Sequence, residues 1–179
     1  MNAQDLKDCF KILDIAAQTI QKVQFAFFSE VPKPSRPLDL ARLHSLRNLE
    51  FKMQPLRLGT RVFGAGLDAG FEQLYDLLDS PSPSCNLRFI SFSITASEGY
   101  PRDELFLVAD DSKWLALDTL LSGPKFSSVQ TVSVSLSLAF RSGASDKPAL
   151  IAKAHDLLKK AFPTVLASKS LKIEVNIVR

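Results

Sequence analysis

One spaced pattern recurs five times along this chain: an apolar residue, two positions of any kind, then three apolar residues at alternate positions. It reads Ile20/Val23/Phe25/Phe27, Leu46/Leu49/Phe51/Met53, Leu87/Ile90/Phe92/Ile94, Val129/Val132/Val134/Leu136 and, with a polar first member, Ser170/Ile173/Val175/Ile177. Measured on the third member, from Phe25 through Phe51, Phe92 and Val134 to Val175, the intervals are 26, 41, 42 and 41 residues. A recurring period near 40 residues is the mark of a repeat architecture, in which each unit is one supersecondary element that cannot bury its apolar face alone. Alternation with period two is the pattern of a strand with one covered face.

Between these strands lie segments with apolar residues three and four apart, the spacing of one helix face. Leu6, Phe10, Leu13 and Ala17 share a face of the first, and Leu40, Leu43 and Leu46 mark a short helical turn before the second strand. Phe71, Leu74, Leu77 and Leu78 form the third stripe, stopped at Ser80-Pro81-Ser82-Pro83. Trp114, Leu115, Leu117, Leu120 and Leu121 repeat that design before Gly123-Pro124, and Ile151, Ala154, Leu157 and Leu158 form the last stripe before Pro163. Helix, punctuated turn and strand thus alternate. Such alternation favours crossovers that place successive strands side by side in a parallel sheet. The expectation is a single α/β domain over 1–179, with about five sequential parallel strands and helices on one side.

The runs LHSLRNLEFKM and CNLRFISFSIT resemble the L-x-x-L-x-L core of leucine-rich repeats. The phrases LLDSPSPSCNLRFISFSI and LALDTLLSGPKFSSVQTVSVSL are similar to the leucine-rich regions that follow the F-box in basidiomycete fungal F-box proteins. The resemblance spans about Leu6 to Val178. It implies an α/β solenoid that binds another protein, in that family a substrate-recognition region. Two departures shape the expectation. Gln54 and Ala96 stand where the family places an asparagine after the strand, and the unit exceeds the usual length of about 20 to 29 residues. An irregular leucine-rich-repeat-like solenoid is therefore expected. The F-box itself is absent from these residues, so membership of a ubiquitin ligase is implied only for a longer parent or for an ancestor that lost it.

Side chains alternate across a strand, so residues between the apolar positions point away from the helices. They are Gln24 and Ala26, Glu50 and Lys52, Ser91 and Ser93, Ser133 and Ser135, then Glu174 and Asn176. The expected protein-binding face is Gln24, Glu50, Lys52, Ser91, Ser93, Ser133, Ser135, Glu174 and Asn176. Serines on adjacent strands make a shallow hydroxyl floor suited to hydrogen bonding with a partner of unknown identity, and equally tolerate plain solvent. The terminal strands carry no obvious capping unit, which opens a second route: a homo-oligomer joined through sheet edges.

Composition narrows the other classes. The chain has 179 residues, 46% hydrophobic and 23% charged, so it suffices for a core without staples. A net charge of +3 gives a pI near 8.9. The densest basic group, Lys147, Lys153, Lys159, Lys160, Lys169 and Lys172, is accounted for by a solvated helix face, and nucleic-acid binding is not expected. Two cysteines, Cys9 and Cys85, make no disulfide framework, and MNAQDLKDCF lacks the apolar centre of a secretory signal. An intracellular place, cytoplasmic or nuclear, follows. Apolar runs such as Val23 to Phe28 are far too short to span a membrane.

Chemistry-bearing clusters are sparse. Asp156 falls on the wrong side of its helix to orient His155, and His44 lies in an interstrand turn. Neither cysteine has zinc-ligand spacing. The cluster Gly64, Gly66 and Gly70 departs from a dinucleotide fingerprint and lacks a strong strand before it and an acidic partner after it. The acidic loop with Glu98, Asp103, Glu104, Asp110 and Asp111 matches no EF-hand spacing. No cofactor, metal or catalytic residue is expected. The alternative from another class is a doubly wound α/β small-molecule or nucleotide binder or enzyme, which would show a reversal of strand order and a crevice at that point.

Overall fold

Five strands carry the five apolar patterns: β1 (Lys22–Phe27), β2 (Asn48–Met53), β3 (Phe89–Ser97), β4 (Thr131–Ala139) and β5 (Ser170–Val178). They form one open, all-parallel sheet in the order β1-β2-β3-β4-β5. The architecture is thus α/β, and among the described strands the order never reverses, so they form no switch point of the doubly wound kind. The structure is a computed structural model and describes residues 11–27, 40–53, 74–75, 77–79, 86–97, 111–139 and 147–178. Leu6, Phe10, Phe71, Pro81, Pro83, Cys9, Cys85, the glycine cluster and loop residues 98–110 lie outside them.

The register explains why the pattern recurs. Phe25 lies opposite Phe51, Phe51 opposite Phe92 and Phe92 opposite Val134. The three rings stack, at 5.9 Å between Phe25 and Phe51 and 5.6 Å between Phe51 and Phe92, with planes within 15° and 12° of parallel. Offset stacking adds to what area burial already contributes. Phe51 and Phe92 are fully buried, while Phe25, on the edge strand, is half-buried.

The fifth repeat sits in a different register from the one its pattern predicts. Ile173, not Val175, lies opposite Val134, and Leu171 lies opposite Val132. The pattern selects Ile173/Val175/Ile177, two residues further on. A shift of two leaves every side chain on its face, so period-two patterning cannot detect it.

Helical segments cover the apolar side. Residues 11–15 are helical, Leu40–Arg42 forms a short 3-10 turn, and Leu74, Leu77 and Leu78 are buried in a helical stretch. Helix α1 (Asp111–Ser122) starts three residues before Trp114 and ends at Gly123. There a Cβ would stand 3.1 Å from Leu120 O, and the Gly123 N–H donates to that same carbonyl. Helix α2 (Lys147–Ala161) is followed after Phe162 by α3 (Pro163–Ser168). Pro163 therefore both ends one helix and opens the next, because a first-turn position needs no N–H. Leu117, Leu121, Leu158, Phe162 and Val165 join the covered strand residues in one core.

Successive units are tied just before each strand. Ser45 Oγ donates to Gln18 O, and Asn86 Nδ2 donates to His44 O at 3.2 Å. These donors stand four residues before Leu49 and Ile90, and the acceptors occupy matching positions one unit earlier. Lysine takes over further along: Lys125 Nζ donates to Leu78 O at 2.6 Å, and Lys169 Nζ to Phe126 O at 2.8 Å and Val129 O at 3.2 Å. Turn carbonyls of the preceding unit gain a side-chain donor in this way.

Candidate functional site

The uncovered side of the sheet is a grid whose rows follow from strand register. The first row is Lys22, Asn48, Phe89, Thr131 and Ser170; the second is Gln24, Glu50, Ser91, Ser133 and Lys172. The third row is Ala26, Lys52, Ser93, Ser135 and Glu174, and a fourth holds Thr95, Ser137 and Asn176. All nine residues selected from the sequence lie on this side. Gln24, Lys52, Glu174 and Asn176 are exposed, and Glu50 with the four serines is half-buried.

The centre of the grid is a field of hydroxyls. Ser91, Ser93, Thr95 on β3 face Ser133, Ser135 and Ser137 on β4, with Thr131 at the near end. Neighbouring strands stand about 4.8 Å apart and same-face residues about 6.6 Å apart along a strand. Each short side chain offers a donor and an acceptor and leaves the sheet accessible to a close-lying partner. Small polar residues fit here because β3 and β4 already bury Ile90, Phe92, Ile94, Val132 and Val134 on the other face.

Charge flanks the hydroxyls. On the β1–β2 side Lys22 Nζ pairs with Glu50 Oε1 at 2.8 Å. With the lysine side chain 55% exposed, this pair is worth little in stability but fixes where the carboxylate points. Beside it, Asn48 Oδ1 is shielded from solvent and meets no donor. On the β5 side Glu174 Oε1 accepts from Asn176 Nδ2 at 2.9 Å.

Several residues of this face escape the sequence pattern. Phe89 is 45% exposed in the first row, a large apolar side chain among polar neighbours. It sits one position before the buried Ile90, and its parity alone would have placed it outward. Lys172 takes the place beside Ser133 that the pattern assigned to Glu174, and Glu174 moves beside Ser135, both through the two-residue shift of β5. Ser137 and Thr95 join because β3 and β4 run longer than the pattern.

Histidine contributes nothing to the grid. His44 is exposed in the turn before β2, where its carbonyl is the part used, and His155 is half-buried on α2. Among the described residues no three His, Cys, Asp or Glu side chains gather closely enough to hold a metal ion. Nor is any described helix long and apolar enough to cross a membrane. No protein-family model, curated protein or solved structure matches this chain.

Proposed function

We propose that the chain is a non-catalytic protein-interaction module, an irregular leucine-rich-repeat-like solenoid that binds its partner on the open face of the sheet. The observation that carries this reading is the hydroxyl field of β3 and β4, bordered by Glu50 and Lys52 on one side and Lys172 and Glu174 on the other, with Phe89 at its edge. A half-exposed aromatic beside polar, hydrogen-bonding neighbours is the composition of a protein-binding patch. Sequential parallel strands, matched repeat to repeat from β1 to β4, and side chains that bond the preceding unit's carbonyls support the solenoid. In a longer parent with an F-box, the same face would select the substrate of a ubiquitin ligase.

The test compares the chain with a Ser91→Arg/Ser133→Arg variant in affinity capture from lysate, followed by photo-crosslinking from position 93. Two arginines on adjacent strands fill the floor without entering the core. A partner held by the original chain, lost by the folded variant and crosslinked through position 93 supports the reading. Partners captured equally by both, or crosslinks that avoid position 93, overturn it.

A further inference from the structure

The outer edge of β5 is the longer of the two edges of the described sheet. It is nine residues long, contains no proline or glycine, and no described strand pairs with its far side. Edges of that length are ordinarily blunted by proline, a bulge or an inward charge. Its core-side residues Leu171, Ile173, Val175 and Ile177 are only half-buried, whereas Val132 and Val134 of β4 are buried.

The backbone of β5 is set for another strand. Ser170 donates its N–H to Gln130 O, which turns the even-numbered residues toward β4 and the N–H and C=O groups of 171, 173, 175 and 177 outward. We propose that two copies of this chain join antiparallel through β5, about a two-fold axis at Ile173, into one continuous sheet. Charge selects that register. Centred on Ile173, Lys172 of each copy lies opposite Glu174 of the other, Leu171 opposite Val175, and Ser170 opposite Asn176. Sliding one way sets Lys172 against Lys172, and sliding the other way sets Glu174 against Glu174. Like charges directly opposite are unfavourable, and the charge pairs here fall at the close, non-hydrogen-bonded positions.

The apolar sides agree as well, since each copy's Leu171, Ile173 and Val175 extend the covered face of the other. A two-fold interface is self-complementary and closes at two copies. Head-to-tail addition of β5 onto β1 of the next copy has no such two-way match, because β1 is shorter and its open-face residues Lys22, Gln24 and Ala26 include no carboxylate to meet Lys172. The inference is independent of any partner on the serine face.

The test is sedimentation velocity on the full chain from about 1 to 200 µM, where mass action exposes a dimer. Three proteins are compared: the original, Lys172→Glu, and Lys172→Glu/Glu174→Lys. Both positions are exposed, so circular dichroism should report an unchanged fold. The expected result is a dimer for the original, association weakened about tenfold or more by Lys172→Glu, which sets two like-charged pairs in the seam, and recovery in the double variant. A monomer throughout the range, open-ended growth, or a dimer indifferent to Lys172→Glu overturns the proposal.

Discussion

Asp118 on α1 accepts the backbone N–H of Val165 at 2.8 Å through Oδ1 and that of Thr164 at 3.0 Å through Oδ2. The carboxylate belongs to one helix and caps the first turn of another, α3, with only 2% of its residue surface exposed. Phe162, one residue before α3, has no side-chain cap to offer and instead packs edge-on against Trp114, one turn before Asp118, at 5.4 Å. Polar clasp and aromatic contact together join the last two units of the fold.

Removing the clasp should cost stability. Asp118→Ala leaves the buried Val165 N–H and the part-buried Thr164 N–H without an acceptor, a loss of about 1–3 kcal/mol. Asp118→Asn should recover only part of it, because its NH2 would face one of the donors. Urea unfolding of the three proteins checks this, and identical midpoints would deny the clasp any energetic role.

The phenylalanine stack predicts a gradient. Phe51→Ala opens a cavity in the centre of the core and should cost about 3–5 kcal/mol. Phe25→Ala, at the half-covered edge, should cost roughly half of that. Equal losses would mean that β1 is as well covered as β2.

The ties between units predict smaller, separable effects. Asn86→Ala should lose about 1 kcal/mol through the freed His44 carbonyl, and Lys169→Met about 1.5–3 kcal/mol, because its ammonium serves two carbonyls. Hydrogen exchange should show loosening at the neighbouring strand start rather than across the whole sheet.

Asn48 predicts the opposite sign. Its Oδ1 is shielded and unbonded, so Asn48→Val removes a desolvated acceptor and adds a better strand former. The expected change is neutral to about 1 kcal/mol of stabilisation, read from the melting temperature. A clear loss would show that the amide has a bonded role in solution.

Strand existence, parallel order and the inward or outward sense of each residue were legible because they depend on local periodicity. Phe51, Ser91 and Val134 all stand where alternation puts them. The register of β5 was not legible: Leu171 and Ile173 are equally apolar and two residues apart, and only hydrogen bonding to β4 chooses between them. Asp118 was hidden for another reason. A single aspartate in a leucine-rich helix reads as an outward polar residue until α3 is brought beside it.

The amino-acid sequence by itself determined the repeating unit, the α/β class and the polar face centred on serine, since each follows from spacing along one chain segment. Tertiary structure alone decided the slip of β5, which puts Lys172 and not Glu174 beside Ser133, the capping of α3 by Asp118, and the carbonyls met by Asn86 and Lys169. Those contacts join residues about 40 positions apart, and their energy depends on distance in space, which no local pattern encodes.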